Sequence, residues 1–249
     1  MEEVGMNEAM KETGPEPSPI ARLAMDFYGA AGFIGQARMT LTHGIANAPT
    51  TLHPLLGRVY EDLATLPGFG IEPPSVEAAV ERYQGKGRAL ADCAVIVLAH
   101  SVVDAHLLKC IRAVAAVAPE EWDTELAERK VSYSLAVTGD AAAIRREKVE
   151  AAVDALDRDS SMPRKMALLL ALCRPPSGWH PIEGYRWDPG RLATIDETRH
   201  RIVHNLAFQE SIESVEEDFE YLVRTGGFAI SLLRHRYEDP LNIPPAWRK

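Results

Sequence analysis

Arg199, His200 and His204 fall within the six residues RHRIVH, and their types suit work on a phosphate ester. An imidazole titrates near neutral pH and can take or give the proton of an attacking or leaving oxygen. A guanidinium offers a rigid fork of donors to phosphate oxygens as charge builds on them. Neither role needs a metal ion. In the stretch ATIDETRHRIVHN, read as a helix, Leu192, Ile195, Ile202 and Leu206 form one apolar stripe, and Arg199 holds the position between Ile195 and Ile202. A guanidinium left alone in a hydrophobic face is costly, so Arg199 is expected to be ion-paired, near solvent in a cleft, or open to an anion. The plainer alternative is a snorkelling or ion-paired arginine with two surface histidines beside it.

A second polar group interrupts the apolar run CAVIVLAHSVVDAHLLKCI. Its His100, Ser101 and Asp104 read either as a buried hydrogen-bonded cluster or as a support that orients Arg199 and His204. The pairs His200/His204 and His100/Asp104 each have the four-residue spacing that puts two ligands on one helix face. The chain has no HExxH and no pair of Glu-x-x-His motifs of the di-iron kind, so no metal and no other cofactor is expected. A lysine-bearing phosphate loop, a dinucleotide GxGxxG and a nucleophile elbow are absent too. Arg145, Arg146 and Lys148, interleaved with Glu147 and Glu150, read as a mixed solvated face or, alternatively, an RNA-contacting strip. Trp179, Tyr185 and Trp187 either cover an edge of the core or stack on bases.

The whole chain sets limits on these readings. Its 249 residues, 46% hydrophobic and 25% charged, have the composition of an ordinary globular protein, and the net charge of −9 argues against a broad nucleic-acid-binding surface while leaving room for a local basic site. Cys93, Cys110 and Cys173 each lie in an apolar run with no close pairing, which predicts buried thiols in a reducing, cytoplasmic setting. The first 18 residues lack a basic start followed by an apolar core and read as an acidic disordered tail ahead of a single domain, 19–249. The longest apolar run is broken by His100, Asp104, His106 and Lys109, so it is read as a buried helix with no membrane partner.

The elements that must position these groups are helical. Ile20 to about His43 has helical spacing interrupted by Gly29, Gly32 and Gly35, and the loop GIANAPTTLHP is expected after it. Ser75 is placed to cap a long helix from Val76 toward Ala118 whose second half should sit centrally. Shorter helices follow, with Asp123, Asp140 and Ser160 or Ser161 as caps, and KVSYSLAVTG is either helix or short strand. Asp188 and Pro189 start the helix that carries RHRIVH, and Ser211 is expected to cap a last helix reaching about Tyr237, on which Gly226 allows close contact. No alternating strand pattern and no internal repeat is visible, so the predicted class is all-α.

With that context, RHRIVH resembles the signature of HEPN domains (higher eukaryotes and prokaryotes nucleotide-binding): Arg199 fills the arginine, His200 the polar second position and His204 the histidine, with Asn205 following. The resemblance covers Val76 to about Tyr237, with the middle helices as insertions. It implies a helical bundle of HEPN type and a metal-independent endoribonuclease, in which a ribose 2′-hydroxyl attacks the adjacent phosphate to leave a 2′,3′-cyclic phosphate. In that reading Arg199 and His204 are catalytic, and His200 positions or polarises the phosphate or fixes the tautomer of its neighbour. Similar proteins serve as toxins or phage-defence effectors, which implies an antitoxin or defence-system partner. A tyrosine two residues beyond the histidine, a modification site in some of them, is Leu206 here. On one straight helix Arg199 and His204 are separated by roughly 140° about the axis. They can therefore serve one phosphate if two copies pack about a twofold axis, as a homodimer, or if the helix ends or bends near His204. The alternative function is a noncatalytic nucleotide-binding or protein-interaction module using the same polar cleft.

Overall fold

A helix like the one predicted from Val76 onward cannot stand alone in water, because its second half is apolar on every side and must be enclosed by other helices. The computed structural model, which describes residues 17–64, 75–126, 137, 139–159, 161–205 and 214–238, shows how this is done. Helix occupies 87% of the described residues and strand none, which makes the protein all-α. The order is α1 (Pro19–Ala64), α2 (Val76–Val117), a 3-10 turn (Pro119–Trp122), α3 (Asp123–Leu126), α4 (Ala141–Asp159), α5 (Met162–Cys173), α6 (Pro189–Asn205) and α7 (Val215–Leu233), which runs on into a π-helical turn (Arg234–Glu238).

Helix α2 is central and packs against α1, α4, α5, α6 and α7. Its Cys93, Ile96, Leu107, Cys110 and Ile111 are fully buried, and Cys93, Cys110 and Cys173 form no disulfide with one another. By length and composition α2 passes as a membrane span, but 56% of its most apolar window is buried inside the fold, as a core helix requires. Ser75 caps it as expected, its Oγ accepting from the Ala78 N–H at 3.2 Å. Helix α1 runs antiparallel beside it, since Phe27 stacks on His106, Arg38 meets Asp92 and Ile45 lies against Gly87. Helix α7 closes the other side, and at Gly226 a Cβ would stand 2.1 Å from the Phe27 ring, so only glycine admits this approach.

Several sequence expectations need correction. The loop expected at GIANAPTTLHP is helical, because α1 continues through Pro49 and Pro54 to Ala64. Pro49 supplies no N–H to the Ile45 carbonyl four residues back. Gln84 of α2 donates to that carbonyl at 3.3 Å and to the Ala46 carbonyl at 3.4 Å, so tertiary packing supplies the missing donor. Ser18, assigned to the tail, caps α1 by accepting from the Ala21 N–H. Asp123, expected as a cap, is the first residue of α3, and its carboxylate takes two hydrogen bonds from Arg145 at 2.8 and 3.0 Å and so ties α3 to α4. Ser161 stands at the start of α5 without a capping bond. Ser214 directly precedes α7. Asp140 and Asp188 do cap α4 and α6. Residues 1–16, Ser160, Leu206, Ser211 and nearly all of KVSYSLAVTG lie outside the described residues.

His106 illustrates what a buried polar group does to stability. It is sealed between Phe27, at 4.4 Å between ring centroids, and Cys110. Burial first, and the Lys109 charge second, lower its pKa from 6.5 to about 4, while the Gly226 backbone and Asp26 oppose the change. The folded state therefore holds His106 neutral where the unfolded chain is protonated. Its contribution is complete above about pH 6.5 and is lost as pH falls toward 4, at up to roughly 1.4 kcal/mol per pH unit. Denaturant melts of the native protein and of His106→Phe at pH 7 and 5 should show the native chain losing more stability than the variant; equal losses would contradict this.

Candidate functional site

Four helices, α2, α4, α5 and α6, line one open cleft of about 940 Å³. From α2 come His100, Ser101 and Asp104, which share one face of the helix. From α6 come Asp196, Arg199 and His200, brought to one side by their three- and four-residue spacing. The first turn of α5 adds Met162 and Lys165. The site residues expected on α2 thus lie in the same cleft as Arg199 and His200.

His204 stands outside the cleft lining. It is exposed, and its ring packs on that of His200 with centroids 4.3 Å apart. Helix α6 stays regular through Asn205, so the angular separation expected from helix geometry is what a single chain presents. The Asn205 side chain lies outside what is described.

The apolar stripe of α6 is real. Leu192, Ile195 and Ile202 are buried at 0, 1 and 3% exposure. Arg199 between them is half-buried, and its Nε is enclosed with no acceptor. No carboxylate among the described residues pairs with it. His100, Asp196, Asp104 and Lys165 are engaged. His100 bonds through Nε2 to Asp196 Oδ1, and Asp196 Oδ2 accepts from the Met162 N–H at 3.3 Å. Asp196 therefore takes the capping place that Ser161 leaves vacant at α5. Asp104 accepts from Lys165 Nζ at 2.7 and 2.8 Å, and that lysine is only 2% exposed.

Around the mouth stand Lys109, Arg112 and Arg158. Arg112 pairs with Asp157 at 3.1 Å, and Arg158 donates to its own helix at the Asp154 carbonyl. Among the described residues Lys109 and Arg199 have no such partner. Glu197 is the remaining carboxylate of the lining without a pairing. Lys109, Arg112, Arg158, Lys165 and Arg199 thus stand against Asp104, Asp157, Asp196 and Glu197, a lining close to charge balance on an acidic protein.

Sequence reasoning missed Asp196 and Lys165. Both carried a signal: Asp196 lies three residues before Arg199, and Lys165 is the charge that directly precedes the apolar run MALLLALC. Elsewhere, Tyr185 is buried and hydrogen-bonded to Thr225 at 3.1 Å, and Trp179 packs on Phe228, so these aromatics cover the core edge. Among the described residues no three His, Cys, Asp or Glu side chains form a metal-ligand group. No family model, no curated protein and no solved structure matches the chain.

The Lys165–Asp104 pair yields a direct check. Lys165→Met strands a carboxylate that is two-thirds buried, which costs about 3 kcal/mol. Adding Asp104→Leu should recover much of that loss in a denaturant melt. A double variant no more stable than Lys165→Met would show that the pair is not what holds α5 to α2.

Proposed function

We propose that this protein is a metal-independent endoribonuclease of HEPN type that acts as a homodimer. The observation that supports it most is the half-buried Arg199 guanidinium, its Nε without an acceptor, facing an open cleft beside His200. A bridging phosphate seated there receives the charge-assisted hydrogen bonds that the arginine lacks. His204 removes the proton of the ribose 2′-hydroxyl, the 2′-oxygen bonds to phosphorus, and the bond from phosphorus to the 5′-oxygen breaks as that oxygen takes up a proton. The products are a 2′,3′-cyclic phosphate and a 5′-hydroxyl. Arg199 stabilises the charge on the nonbridging oxygens during this exchange.

Dimerisation supplies what one chain lacks, because His204 of a single copy lies outside the cleft. Val203 beside it is 37% exposed, an apolar side chain of the kind a subunit contact uses. The exposed position of His204 and the overall acidity favour one other reading, a noncatalytic nucleotide-binding module in which the cleft only recognises a phosphate.

Incubation with a cellular RNA pool in chelator distinguishes the two. The nuclease releases fragments ending in cyclic phosphate, and Arg199→Ala and His204→Ala each lower the rate by roughly 10²–10³. Intact RNA, together with retained nucleotide binding, would leave the module.

A further inference from the structure

We propose that His100 is a positioning residue whose task is to keep Arg199 unpaired. It does so by occupying Asp196, the one acidic residue able to neutralise that guanidinium from its own helix. This inference rests on the reading of the cleft as a phosphodiester site.

Helix neighbours three and four residues away face one another, whereas those two away do not. Around Arg199 those neighbouring positions hold Ile195, Asp196, Ile202 and Val203, so Asp196 is the single carboxylate in reach, and Glu197 lies off to the side. A free Asp196 would close on Arg199 and fill the anion site from within. It is not free. One oxygen is bound by His100 Nε2, and the other accepts from the Met162 N–H at the start of α5, where the helix end favours negative charge. The carboxylate is only 22% exposed, so few waters are present to replace either partner.

His100 is suited to this task and not to proton delivery. The residue is 8% exposed, and its Nδ1 is enclosed without a partner. The ring therefore has one working polar contact, the one to Asp196. Holding that contact ties α2, α5 and α6 together at the floor of the cleft and leaves Arg199 for the ligand.

The test uses the full chain and a fluorescent 2′-O-methyl oligoribonucleotide, which carries phosphodiesters but no attacking hydroxyl. His100→Phe removes the donor and is expected to weaken binding about tenfold, the effect of losing one charged hydrogen bond. His100→Gln, which can still donate to Asp196, should bind as the native protein does. Adding Asp196→Asn to His100→Phe should restore most of the affinity, since a neutral amide does not compete for the guanidinium as a carboxylate does. A His100→Phe variant that binds normally, or one that Asp196→Asn fails to rescue, overturns the proposal.

A thermal-melt cycle gives an answer independent of binding. The Tm effects of Asp196→Asn and Arg199→Gln should add in the native background and fail to add in His100→Phe, where the two side chains meet. Additivity in both backgrounds overturns the proposal. Non-additivity in a protein that binds no oligonucleotide would retain the Asp196 arrangement and remove the phosphodiester reading.

Discussion

The structure depends on the polar groups of an otherwise apolar central helix. Burial of α2 would strand His100, Asp104 and His106 unless neighbours satisfied them, and an unsatisfied buried polar group costs more than a hydrogen bond gains. Each is met by a different helix. Asp196 of α6 meets His100, Lys165 of α5 meets Asp104, and Phe27 of α1 with the Gly226 backbone of α7 encloses His106. The hydrophobic contacts drive the helices together. These polar contacts select which faces meet, and the cleft is the space left between two of them.

Charge allocation follows from the same constraint. Asp196 and Asp104 are committed to His100 and Lys165, and Asp157 to Arg112. Of the carboxylates in the cleft lining, Glu197 alone is left without a pairing among the described residues, although the chain as a whole carries a net charge of −9. A guanidinium without an internal partner, set in a cleft with Lys109 at its mouth, is what a phosphate group requires. An acidic protein can thus hold an uncommitted guanidinium without a basic surface.

Much of this was legible in the sequence, for identifiable reasons. The helical class, the span of α2 with its Ser75 cap, and the starts of α4 and α6 follow from periodicity and short-range capping, which are local. The glycine at 226 announced a close helix contact, and Phe27 is what it contacts. The misplaced loop after His43 failed because Gln84, 39 residues away, supplies the donor that Pro49 lacks. For the site, one helix face was enough to single out Arg199, and the polar interruption of α2 pointed to His100 and Asp104. Their partners were not legible, because pairing Asp196 with His100 or Lys165 with Asp104 needs the packing of three helices. No spacing within a single helix encodes that packing.

The central claim is that the Arg199 guanidinium is open to an external phosphodiester. NMR observation of arginine Nε–H groups, with the Arg199 signal assigned by its loss in Arg199→Lys, tests this in the native protein. On titration with a 2′-O-methyl dinucleotide, the Arg199 resonance should move saturably, while that of Arg145, already paired with Asp123, stays in place. An Arg199 resonance that remains fixed while the dinucleotide binds elsewhere, or that moves no more than Arg145, would contradict the account.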